Sequence, residues 1–197
     1  MRRGGWMVSI AVTAAVAAGC GLLPAPDAGL PIEELSTEPR ELEHSLADTP
    51  TGPHVEVLSG EIGGDHLSVV LQRDAEGACM AIWRGADGSQ ACGSIAGGAL
   101  GAAFGVVMVG GVPGPGEEGG GLVELAGIVA SDVVAVVAEL DDGAEGHARL
   151  VSLEAAQVDG QAFLLYLPAG AVPRVLVARG DGGVELERLE LHMPGRP

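Results

Sequence analysis

The residues able to do chemistry in this chain are few: three cysteines, five histidines, scattered serines and a surplus of carboxylates. Cys79 and Cys92 stand too far apart for a C-x-x-C redox pair, and a zinc site would want more ligands. Among His44, His54, His66, His147 and His192 there is no H-x-x-x-H or H-E-x-x-H pair. His54 near Glu56, and His66 beside Asp65, are where a metal could in principle collect, although lone histidines at strand starts ordinarily face solvent. Asp141-Asp142-Gly143 with Glu145 gathers acids around a glycine. The D-x-D-x-D-G spacing that wraps calcium is absent, and Asp-Gly is ordinary turn chemistry. No serine lies in G-x-S-x-G, and a chain without lysine has no S-x-x-K. Carboxylates are everywhere, but nothing singles out two of them as a catalytic pair. These residues therefore predict no enzyme, no cofactor and no metal site. An acidic cation-binding or sensory domain, and a hydrolase built from carboxylates and histidine, stay as alternatives.

The third cysteine suggests different chemistry. In MRRGGWMVSIAVTAAVAAGC, Arg2 and Arg3 precede an uncharged, mostly apolar run from Trp6 to Ala18. Thirteen residues suit the apolar region of a signal peptide and are too few to span a bilayer. Ala17-Ala18-Gly19 then lead into Cys20. The arrangement resembles a bacterial lipoprotein signal, although leucine is usual where Ala17 stands. The resemblance implies cleavage after Gly19 and acylation of the Cys20 thiol. An ordinary secretory signal or an uncleaved anchor is the alternative. Twin-arginine export fits less well, because Gly4-Gly5 follow the two arginines. Export would place Cys79 and Cys92 in an oxidising compartment, and they are expected to form a disulfide.

The chain carries 10 Arg, no Lys and 27 acids, for a net charge of −17. Removing residues 1–19 leaves 8 Arg against 27 acids, or −19. A surface so acidic repels phosphate backbones, so nucleic acid is not an expected partner. It also repels anionic headgroups, so an acyl chain would have to supply the membrane attachment. The expected partners are the membrane, through that anchor, and an unidentified envelope protein. Beyond Cys20 the aromatics are Trp83, Phe104, Phe163 and Tyr166, leaving the core to Val, Leu, Ala and Ile.

Residues 21–53 hold six prolines and little apolar periodicity, which predicts a flexible tether with a root-mean-square span of roughly 30 Å. A short helix is conceivable over Glu41–Ala47. Beyond His54 the pattern changes. HVEVLSGEI, DHLSVVLQR, CMAIWRG, VVAVVAEL, HARLVSLE, QAFLLYLP, RVLVAR and VELERLEL are short apolar or alternating runs, several of them separated by Asp-Gly turns. That pattern predicts an all-β, Ig-like or fibronectin-like antiparallel β-sandwich, as one domain or two small subdomains. The apolar phase slips between Leu186 and Leu189, which predicts a bulge or the end of pairing. A weak echo at an offset of 67 hints at duplication: Gly60, Asp65, Val69-Val70 and Asp74 against Gly127, Asp132, Val136-Val137 and Asp141.

The stretch Cys79 to Cys92-Gly93, with LDDGAEGHARLVSL, FLLYLPAG and VARGDGGVELERL, resembles predicted lipoproteins of high-GC Gram-positive bacteria. The resemblance covers most of residues 54–191 and implies fold and location, since the group has no assigned activity. The uncharged run over 95–112 could be read as a membrane span, but its many glycines and its acidic downstream flank favour buried strands. The expected organisation is a signal over 1–19, Cys20 and a Pro/acid-rich tether over 20–53, and a disulfide-bearing β region over 54–112. A Gly/Pro-rich loop over 113–121 and a second β region over 122–197 complete it.

Overall fold

The computed structural model of the chain describes residues 27–42, 53–73, 77–85, 87–93, 103–112 and 121–191. The fold is all-β, with every strand pairing antiparallel. Its strands are β1 (Glu33–Ser36), β2 (Arg40–Glu41), β3 (His54–Ile62), β4 (Asp65–Arg73), β5 (Ala78–Arg84), β6 (Asp87–Gly93) and β7 (Phe104–Val112). After these come β8 (Leu122–Val129), β9 (Ala135–Leu140), β10 (Glu145–His147), β11 (Arg149–Ser152), β12 (Gln161–Leu167), β13 (Pro173–Arg179) and β14 (Glu185–Glu190). They form a front sheet in the order β1-β3-β4-β5-β6 with β2 also on β3, a central sheet β11-β12-β8-β7, and a rear sheet β10-β9-β13-β14.

The continuous apolar runs explain why the central sheet is central. Along β12, Ala162, Leu164 and Tyr166 join the core shared with the front sheet, whereas Phe163, Leu165 and Leu167 join the core shared with the rear sheet. A strand buried on both faces reads as unbroken hydrophobicity rather than alternation. In β8, Gly127 is required by packing. A Cβ there would fall onto the Val106 carbonyl oxygen and the Phe163 ring.

The Asp142-Gly143 turn joins β9 to β10 as expected, but one residue later, at Ala148, the chain leaves the rear sheet for the central one. The predicted phase slip is a bulge at Leu186. Glu187 pairs with Ala178 and Glu185 with Arg179, so Leu186 is left over. Within 95–112, residues 104–112 are strand β7, while 95–102 lie outside the described residues. No helix among the described residues is long and apolar enough to cross a membrane.

Two expectations change. Residues 27–42, read as part of the tether, run along the edge of the fold as a strap. Ala28 N–H donates to the Glu145 carbonyl and Leu30 N–H to the Tyr166 carbonyl. The strap then pairs with β3 through β1 and β2. It needs no periodicity of its own because the free edge of β3 supplies the partners, while Leu30, Ile32 and Leu35 pack on the core. The helix considered over Glu41–Ala47 begins in strand β2, and its residues 43–47 lie outside the described residues. The duplication echo also fails topologically. Strands β3 and β4 are neighbours in one sheet, whereas β8 and β9 belong to different sheets.

Candidate functional site: a charged cluster between two sheets

Several of the strands that face the interface between front and central sheets carry one polar exception to an apolar face, and these exceptions pair with one another. Arg84 ends β5 on the face of Ala78, Met80 and Ile82 and is 5% exposed. Its Nε and Nη2 donate to Asp65 Oδ2 at 3.0 and 2.8 Å, from the start of β4. Opposite, Glu124 sits within LVELAGIV on the face of Ala126 and Ile128, only 4% exposed. Its register partner on β12 is Tyr166, whose hydroxyl donates to Glu124 Oε2 at 2.8 Å. Ser89 of β6 donates to the other carboxylate oxygen at 3.0 Å. Residues of β6, β8 and β12 thus meet at one buried carboxylate, with the Arg84–Asp65 pair of β5 and β4 as a second charged pair on the same interface.

Burial pushes the Tyr166 hydroxyl far above the usual tyrosine range, and the Glu124 charge and hydrogen bond push it further, against a smaller opposing pull from Arg84. Tyr166 therefore stays a neutral donor. The arrangement suits cohesion better than proton transfer, because both Glu124 oxygens accept from hydroxyls within the fold. Removing one partner from such a cluster is far more disruptive than never having built it.

Beside this cluster lies an open pocket of about 340 Å³, lined in part by the strap. Leu30, Ile32, Leu35 and Leu164 line it, with His147 and Arg149 at the exposed rim. That volume is at the lower end of small-ligand pockets. Asp27, at the same rim, is engaged by the backbone N–H groups of Gly29 at 2.9 Å and His147 at 3.2 Å.

The residues marked in the sequence fall elsewhere. Cys79 and Cys92 are directly opposed on β5 and β6 and form a disulfide with a Cα–Cα distance of 4.0 Å. His54 and His66 lie toward opposite ends of the β3–β4 hairpin, opposite Gln72 and Glu61. Glu56 accepts from the Ser68 hydroxyl and pairs with Arg40 at 3.2 Å, and Asp65 holds Arg84. No group of three or more His, Cys, Asp or Glu side chains among the described residues could hold a metal. Asp142 closes its own turn by accepting from Ala144 N–H at 2.9 Å, while Glu145 faces His147 and Arg179. Cys20, His44 and His192 lie outside the described residues.

Of the central cluster, only Asp65 had drawn attention from the sequence. Arg84, Ser89, Glu124 and Tyr166 are scattered over 83 positions along the chain and share no motif. The available signal was a single charge or hydroxyl inside each apolar run, since charged side chains are almost never fully buried unless paired. Comparison with protein families, with curated proteins and with solved structures finds no match for this chain.

Proposed function

We propose that this chain is a lipid-anchored, extracytoplasmic β-sandwich that serves as a binding or structural module at the cell envelope. The Cys79–Cys92 bridge is the observation that carries the reading, because disulfides persist in oxidising compartments and are rare where thiols are kept reduced. The segment leading to Cys20 supplies a route to such a compartment, and its cysteine supplies the attachment. The strap sharpens the geometry. With six residues between Cys20 and Asp27, the leash reaches at most about 25 Å, at roughly 3.5 Å per residue. A globule of this size has a radius of gyration of roughly 15 Å. The domain would ride directly on the bilayer, with the Asp27 corner toward it.

The test is the intact mass of the protein extracted from its native membrane without reductant. The expected species begins at Cys20, carries acyl mass and is two hydrogens lighter than the dithiol. A species retaining residues 1–19 with three free thiols overturns both the anchor and the compartment.

A further inference from the structure

Among the described residues, no strand pairs with the outer edge of β7. Within the central sheet, the Gly160 and Tyr166 carbonyls accept from Leu153 and Leu30, both on the β11 side of β12. Even-numbered residues of β12 therefore turn their backbone groups toward β11, and odd-numbered ones toward β8. Carried through the registers Leu165↔Leu125 and Met108↔Ala126, the same alternation pairs the even-numbered residues of β7 with β8. Val107, Val109 and Gly111 consequently point their N–H and C=O groups outward. Among the described residues, none of these groups has a partner.

Natural sheets protect such edges with short strands, charges, prolines, bulges or a covering segment. Three of the other edges follow that rule, whereas β6, the seven-residue edge of the front sheet, has neither proline nor bulge. β10 has three residues and β11 four, and the strap lies along their flank. β14 carries Glu185, Arg188 and Glu190 as well as a bulge. β7 has nine residues, FGVVMVGGV, with no charge and no proline, and its one irregularity lies at Gly105. Val109 is 40% exposed.

We infer that β7 is a self-docking edge, and that its occupant is the β7 of a second copy paired antiparallel about a two-fold axis at Met108. The strand is complementary to itself in this register. Val107 falls opposite the partner's Val109, so outward-facing groups meet outward-facing groups on both sides of the axis, and Gly111 falls opposite the partner's Gly105 at the irregularity. Val106 falls opposite Gly110, bulk against space. The central sheet would continue from four strands to eight. An uncharged edge is also where two copies of a chain with net charge −17 can approach with least repulsion. A single strand pair lies at the low end of interface areas, below about 1,200 Å², so association in solution is weak. Added salt screens the repulsion and strengthens it.

The test combines sedimentation velocity of the purified full chain, over a range of protein and salt concentrations, with hydrogen exchange. The expected result is a monomer–dimer equilibrium that shifts toward dimer with salt, with the Val107, Val109 and Gly111 amides slowing about tenfold in the dimer. Val109→Pro removes one outward donor and no internal hydrogen bond, so it should abolish the dimer while leaving the melting temperature nearly unchanged. If that variant folds poorly, Val109→Lys charges the same edge without altering the backbone and should also give monomer. A monomer under every condition overturns the inference, as does a dimer in which the β7 amides exchange at the monomer rate.

Discussion

Along one flank of the three-sheet stack, the chain closes its own edges. The strap bridges β10, the end of β12 and the edge of β3, with three sheets touched in sixteen residues. Along the opposite flank, β6, β7 and β14 come together without such a cover among the described residues. Gly93 of β6 meets Val106, and Glu187 of β14 accepts from the Phe104 N–H at 2.9 Å. The strapped flank gathers polar anchors and prolines, whereas the central strand of the other flank is uncharged. The same backbone hydrogen-bonding capacity is thus spent internally on one side and, among the described residues, left unpaired at β7 on the other.

The comparison is broken most severely at Gly127. A methyl group there would drive β7 off β8, so Gly127→Ala should destabilise by about 3 kcal/mol or more, read from urea unfolding. A loss below about 1 kcal/mol would mean that β7 is only loosely held.

Tyr166→Phe acts next, where the strapped flank meets the cluster. It deprives Glu124 Oε2 of its donor and should cost about 2 kcal/mol at neutral pH. The same substitution changes the response to alkali. Below the ordinary tyrosine pKa of 10.0, folded and unfolded chains both keep the proton. Above it the unfolded chain releases the proton while the folded chain, with its raised pKa, holds it. Stability therefore falls as pH rises, by about 1.4 kcal/mol per pH unit for this one group. Phenylalanine should flatten that slope, and an unchanged slope would show that Tyr166 ionises freely when folded.

Gly60→Ala should have the smallest effect. The added methyl would lie 2.9 Å from both the Glu33 carbonyl oxygen and Ile32 Cγ2, so β1 must shift. The strap is lightly held, and a loss of about 1 kcal/mol is expected, with protease cleavage within residues 27–42 rising well before the sandwich opens. Cleavage that instead tracks global unfolding would make the strap part of the core.

Much of this architecture was legible in short runs bounded by turns. HVEVLSGEI, DHLSVVLQR, QAFLLYLP and RVLVAR are strands because their length, composition and Asp-Gly or Gly-Gly boundaries agree. The bulge in VELERLEL was visible for the same reason, since a period of two cannot slip silently. The strap was not legible, because proline-rich residues became strands only by borrowing the edge of β3. Nor was the third sheet foreseeable: nothing in HARLVSL marks Ala148 as the place where the chain changes sheets. The cluster around Glu124 was half visible. Its members stand out as isolated exceptions in apolar runs, but sequence alone does not say that they face one another.

The strap also has a mechanical consequence. A pull applied ahead of Asp27 does not load its strands in parallel. It opens the contacts at Ala28, Leu30, β1 and β2 in succession, as a zipper is peeled, so each yields at low force. Sixteen freed residues would then lengthen the connection by roughly 50 Å while the sandwich stayed closed. The strap can therefore take up sudden tension before the three-sheet core bears any of it.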